Sequence, residues 1–156
     1  MINDSPLGWM GTFKIRIKNT LTGEITDEIV KNRITNTALN AMINTLDDIE
    51  PQLNIKYLAI GTGSTAIDDA DTQLDTEIAR VQFTSSNLTA IGEFTTEFVV
   101  LDSEAVATWA EIGIFCGDTA TSSANTGIML TRILYDRVKT SLEEIQFIRI
   151  DKIERA

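Results

Sequence analysis

Residues 12–18 alternate strictly, with Phe13, Ile15 and Ile17 on one side and Lys14, Arg16 and Lys18 on the other, the period of a half-buried β-strand. Asn19-Thr20-Leu21-Thr22-Gly23 supplies turn residues, and residues 24–30 return as a second strand, which makes a hairpin with a longer loop. One stretch switches to helical period. Leu39, Met42, Ile43 and Leu46 fall at i, i+3, i+4 and i+7, predicting a helix over 37–48 with Asn36 or Thr35 as N-cap and Pro51 blocking its continuation. Its single apolar stripe is expected to cover one edge or end of a sheet.

From Asn54 onward the pattern is strands and turns. Residues 55–60, 80–84, 94–101, 108–115, 128–135 and 142–153 read as strands, separated by Gly, Ser, Asn and Asp clusters. Gly61-Thr62-Gly63-Ser64 is a glycine turn, and residues 68–77 form an acidic loop with one helical turn expected around 72–75. In the last strand the alternation slips between Phe147 and Ile148, which a β-bulge or burial on both faces explains. Roughly eight strands and one short helix predict a mainly β chain, an antiparallel β-sandwich or jelly-roll. Residues 1–11, with Pro6, Gly8 and Gly11, read as an irregular N-terminal arm, and 12–156 as a single domain without repeats.

Composition narrows the chemistry. Among 156 residues there is no His and one Cys, and the formal net charge is −10. Without His there is no Ser-His-Asp or Cys-His catalysis, no His-ligated zinc and no imidazole pH switch. Cys116 has no disulfide partner within the chain and is expected as a small apolar residue at a strand end. No apolar run approaches the ~20 residues of a membrane helix, and Asp4 and Pro6 stand where a signal peptide carries basic and apolar residues, so a soluble protein made in a reducing cytoplasm is expected. A pI near 4.4 argues against general binding of nucleic acid.

Five constellations bear on function. The glycine turn resembles a phosphate cradle, but Asp68, Asp69 and Asp71 follow it and no Gly-Lys-Ser/Thr ending is present, so a plain turn is expected. Aligned as a calcium loop from Asp69, the run keeps Asp71 at the third position but has Gln73 at the fifth, Leu74 for Gly at the sixth and Arg80 for Glu at the twelfth. That motif fails, which leaves a solvated acidic loop, with a looser site of Asp68, Asp69, Asp71 and Asp75 as the alternative. Paired carboxylates for sugar hydrolysis have little aromatic surface to work with, and no enzyme is expected. The Lys14, Arg16, Lys18 face reads as a solvated edge strand; its functional version is a contact with the acidic loop of a neighbouring subunit. Trp9 and Met10 in the arm are the most partner-like residues, against packing on the parent domain. On the partner reading, deleting residues 1–11 weakens assembly without unfolding the domain.

Several segments together resemble a known family. They are Gly11-Thr12-Phe13-Lys14-Ile15, Asn32-Arg33-Ile34-Thr35-Asn36 before the helix, and Tyr57-Leu58-Ala59-Ile60-Gly61-Thr62-Gly63 continuing to Leu74, Glu77 and Arg80. Ala110-Glu111-Ile112-Gly113-Ile114-Phe115 and Met129-Leu130-Thr131-Arg132 complete the series. The order and spacing resemble small β-sandwich structural proteins from the virion modules of tailed bacteriophages and prophages, found as tail, fibre or head-associated components. The resemblance implies a homo-oligomeric, non-enzymatic virion subunit without cofactor or metal, made in the host cytoplasm. It would contact other capsid or tail proteins and neither nucleic acid nor membrane. Partner-contact candidates are Trp9, Met10, Lys14, Arg16, Lys18, Asp68, Asp69 and Asp71, with the loops at 68–77 and 116–127 facing solvent or a partner. A carbohydrate- or receptor-binding module of a tail fibre or baseplate is the alternative.

Overall fold

The computed structural model describes residues 7–47 and 53–155. Two antiparallel sheets pack face to face as a β-sandwich with one short helix. The five-stranded sheet has the order β2 (Ile25–Asn32), β1 (Leu7–Asn19), β9 (Glu143–Arg155), β6 (Glu93–Val100), β5 (Ser85–Ala90). The four-stranded sheet has the order β4 (Glu77–Gln82), β3 (Ile55–Gly61), β7 (Thr108–Cys116), β8 (Ile128–Val138). The inward positions of the alternating strands meet between the sheets: Phe13, Ile15 and Ile17 of β1 pack with Phe98, Ile112, Ile114, Phe147 and their neighbours. Phe147 stands at the centre, edge-on to Phe13 at 6.4 Å and stacked with Trp109 at 6.3 Å. Buried Trp109 donates its indole N–H to the Ala105 carbonyl, so its polar atom is satisfied.

The nine strands exceed the expected eight by β5, whose sequence Ser-Ser-Asn-Leu-Thr-Ala has no alternation because it is an exposed edge strand fastened to β6 alone. β1 begins at Leu7, so the part of the expected arm within the described residues is strand, held along β9 from Leu7↔Arg155 to Gly11↔Asp151. Nor is β1 an edge strand, since β2 and β9 flank it. Residues 1–6, Asp48 and Pro51 lie outside the described residues.

The helix α1 (Asn36–Thr45) is where expected, but it turns the other way. Thr35 is the N-cap: its hydroxyl accepts from the Ala38 N–H and donates to the Met129 carbonyl. The Thr35 N–H donates to the Leu130 carbonyl and the Asn36 N–H to that of Asp69. These bonds fix the roll of the helix on β8, so Ala38 and Ala41 face inward and let the backbones approach closely, while Leu39, Ile43 and Leu46 are 43%, 63% and 83% exposed. Leu39, Ile43 and Leu46 of the expected covering stripe thus face outward.

Candidate functional site

The outer faces of the two sheets are treated differently, and the difference organises the chemistry. On the four-stranded sheet, Arg80, Ala59, Gly113 and Arg132 stand side by side in the strand register. The small Ala59 and Gly113 leave a hollow between two arginines, and Leu74 from the acidic loop fills it: a Cβ on Gly113 would lie 3.0 Å from its side chain. Leu74, Ala59, Phe115, Ala120 and Met129 make a second, smaller core beneath residues 62–76 and 117–127. Both loops fold over this sheet as a layer, and most of their residues keep an outer surface in solvent, as expected.

Each loop is fastened by one arginine. Glu111, wholly buried, accepts the backbone N–H groups of Gly63 (3.0 Å), Thr76 (2.9 Å) and Asp75 (3.1 Å), and the Arg132 Nε–H at 2.7 Å. Arg132 then donates to Asp71 and Asp75, both at 3.1 Å, and to the Thr65 carbonyl at 3.1 Å. The glycine turn thus contributes one N–H, that of Gly63, to a set of three amides around the chain's own Glu111 carboxylate, the other two coming from Asp75 and Thr76. Gly63 is required by close approach, because a Cβ there would lie 2.1 Å from that of Asp75 and 2.7 Å from the carboxylate. Burial would lower the affinity of Arg132 for its proton, but hydrogen bonds to Glu111 and Asp71 outweigh it, and its pKa is raised.

Arg80 fastens the second loop. It pairs with Glu77, lies 4.4 Å above the Phe115 ring, and donates to the Thr121 carbonyl at 2.8 Å and that of Thr126 at 3.1 Å. Glu77 also accepts the Asn125 N–H at 3.0 Å.

These contacts decide the acidic-loop readings. Asp69 pairs with Arg33 at 2.8 Å, Asp68 accepts the Ala70 N–H, and Asp71 and Asp75 are held by Arg132, so the carboxylates turn towards cations and amides instead of one another. Among the described residues no group of three or more carboxylate or thiol ligands is placed to hold a metal. No helical turn forms at 72–75, where Arg132 and Glu111 hold bends in an extended path. Asp68 stays exposed on the outer surface of this layer, and Asp71 and Asp75 are the carboxylates drawn inward to Arg132.

The Thr65 hydroxyl and N–H both donate to Asp75, and Arg132 adds its charge, which lowers the Asp75 pKa from 3.8. A depressed carboxylate stabilises the loop above its unfolded value, and this is lost as pH falls through the folded value. The Thr65 amide resonance should therefore titrate with a midpoint below pH 3.8. In Thr65→Val, which keeps the N–H and loses the hydroxyl, the midpoint should rise; an unmoved midpoint would refute the assigned cause.

The partner-contact candidates separate. Trp9 is half-buried, packs on the central core and donates its indole N–H to Asp151 at 3.0 Å, inside its own domain. Met10, Lys14, Arg16 and Lys18 point outward from the five-stranded sheet, with Arg16 paired to Asp27. Asp68, Asp69 and Asp71 belong to the loop layer on the far side of the sandwich. The clamping role of Glu111, Arg132, Glu77 and Arg80 depends on contacts distant in the chain; its local signal for the buried pair is a charge within a mostly apolar strand, as in Ala110-Glu111-Ile112 and Leu130-Thr131-Arg132-Ile133.

At the end of the sandwich where β1 and β3 begin, the sheets part around a cavity of about 620 Å³. Trp9, Ile55, Phe83 and Phe94 line it, with Asp151 and Glu93 at its polar side. Cys116 closes β7, fully buried, and burial pushes its thiol pKa well up, so it is inert packing. Among the described residues no helix is long and apolar enough to cross a membrane. No family model, no curated protein and no solved structure matches this chain.

Proposed function

We propose that the chain is an assembling structural subunit of a tailed-phage virion, on the capsid surface as decoration or head fibre, or in the tail. The resemblance of its strand and turn segments supports the assignment to a virion. The observation that carries an assembling role is the helix: Leu39, Ile43 and Leu46 make one apolar stripe directed away from the parent domain, where a neighbouring virion protein would cover it. The loops, by contrast, are fastened to their own sheet, as suits a rigid building block.

Mass spectrometry and immunogold labelling of purified particles test the reading, and absence of the protein from them would end it. Ile43→Lys should leave the free subunit's stability within about 0.5 kcal/mol, since the side chain is 63% exposed, yet strongly reduce incorporation. Full incorporation of that variant would take the helix out of the assembly.

The cavity favours a second reading, a carbohydrate- or receptor-binding module. Trp9, Phe83 and Phe94 line it together with the Asp151 and Glu93 carboxylates, and its volume suits a small ligand. Glycan arrays and host cell-wall fractions separate the two readings.

A further inference from the structure

We infer that the outer face of the five-stranded sheet binds a second copy of this chain, around a two-fold axis that runs parallel to β9 in the plane between the copies. The slip of alternation at Phe147-Ile148 has two explanations, a bulge or burial on both faces. The bulge is absent: β9 pairs without interruption with β1 from Leu7↔Arg155 to Asn19↔Glu143, and with β6 from Glu93↔Lys152 to Val100↔Ile145. Ile148 and Ile150 therefore point away from the core, in the middle strand of the sheet. The other sheet's outer face is covered by the chain's own loops. Among the described residues no loop covers this one; side chains of the flanking strands leave Ile148 and Ile150 partly exposed.

The charges around the two isoleucines select the partner. Register places Lys14, Ile148 and Glu97 in one row across β1, β9 and β6, with Thr12, Ile150 and Thr95 in the next. Among the described residues neither Lys14 nor Glu97 has an ion-pair partner, and the Glu97 carboxylate receives only the Gln146 amide at 3.4 Å. Two strand spacings separate them, about 10 Å, too far to pair within the chain. The proposed axis lays β1 of each copy over β6 of the other, so both Lys14 side chains meet the opposite Glu97 while Ile148 meets Ile148 and Ile150 meets Ile150. An axis across the strands would stack β1 on β1 and bring Lys14, Arg16 and Lys18 of the two copies together, so charge chooses between them.

Facing sheets align at about 30°, which keeps the two central rows in register and splays the end rows, where Lys152 and Glu144 would each face their counterparts, Glu144 with Lys18 beside it in register. Lys152 is already neutralised by Glu154 at 2.7 Å. Three or four strands over five rows give about 500–650 Å² of projected face per copy, the size of a reversible contact. The net charge of −10 repels the copies at long range, but at 0.1 M salt this is screened beyond about 10 Å and the facing pairs dominate.

The inference does not depend on a place in the virion, because the purified chain should pair whether or not the protein is found on particles. Sedimentation velocity over a concentration series tests it. At about 0.1 M salt the wild-type chain should dimerise, and about 1 M salt should weaken the dimer tenfold or more. Lys14→Glu and Glu97→Lys should each be folded by circular dichroism and monomeric. In an equimolar mixture of the two, each of the paired contacts between copies again joins one acid to one base, so mixing should restore the dimer. Ile148→Asp should abolish it, and Ile43→Lys on the helix should leave it intact. A wild-type monomer at about 1 mM, a dimer that persists in either charge variant, or a mixture that stays monomeric would each overturn the inference.

Discussion

Replacing Arg132 with Met is expected to destabilise the loop layer by about 3–5 kcal/mol, the usual result of leaving a buried charge without its partner. Glu111 has no exposed surface, so it cannot recover by hydration, and Asp71 and Asp75 lose the same guanidinium. The effect should appear first locally. Amide exchange at Gly63 and Thr76, whose N–H groups bind Glu111, should accelerate by about 10²–10³, followed by a lower midpoint in urea. A buried ion pair can often be exchanged for apolar residues at little cost, but this one cannot. Glu111 also accepts three backbone N–H groups, so Arg132→Met with Glu111→Leu leaves the part-buried donors of Gly63, Asp75 and Thr76 without their acceptor, at about 1 kcal/mol each, and should not rescue the single variant. Protection within threefold of wild type in Arg132→Met would mean that water reaches Glu111.

How much of this was legible in the sequence depends on the range of the interactions. The alternation at residues 12–18 and the 3.6-residue period at 39–46 are local, and they locate β1 and α1 correctly. Which way α1 faces is not local. It is decided by Thr35 bonding to Met129 and Leu130, about 95 residues away in the chain, and no helical pattern records that. β5 was missed because an edge strand supported on one side has no buried face to impose alternation.

The glycine turn shows the same division. Its glycines imply close approach, while the approaching group, Glu111, comes from a strand paired to β3 much later in the chain. The segments that carry the family resemblance include Gly61, Gly63, Leu74, Glu77, Arg80, Glu111 and Arg132, which the fold gathers into the two loop clamps and the core beneath them. Their order along the chain suggested a shared architecture; their common task became visible only through the pairing of β3, β4, β7 and β8.

Deleting residues 1–11 is expected to damage the fold itself, lowering Tm by about 10 °C or more. The truncation removes the β1 positions Leu7 to Gly11 and leaves the end of β9, through Asp151, without its partner on that side. It also removes the Trp9 ring from the core and the Trp9 N–H from Asp151. The deeper consequence concerns Arg149. This fully buried guanidinium lies 5.0 Å above the Phe13 ring, donates to Asp151 at 2.9 and 2.6 Å and to Asn32 at 3.0 Å, and presses on Gly11 so closely that a Cβ there would stand 2.3 Å from its Nη2. With Gly11 gone, water reaches one side of a charge pair built for a dry site. Trp9→Ala isolates the first part of the effect at about 2 kcal/mol, below the 3–5 kcal/mol of a fully buried Trp because the ring keeps part of its surface in solvent. Gly11→Ala isolates the second, since it keeps every strand pair and forces the guanidinium to move, at about 1–3 kcal/mol. A truncated chain that melts within about 3 °C of the full-length protein, with unchanged near-ultraviolet circular dichroism, would instead return these residues to the role of a separable arm.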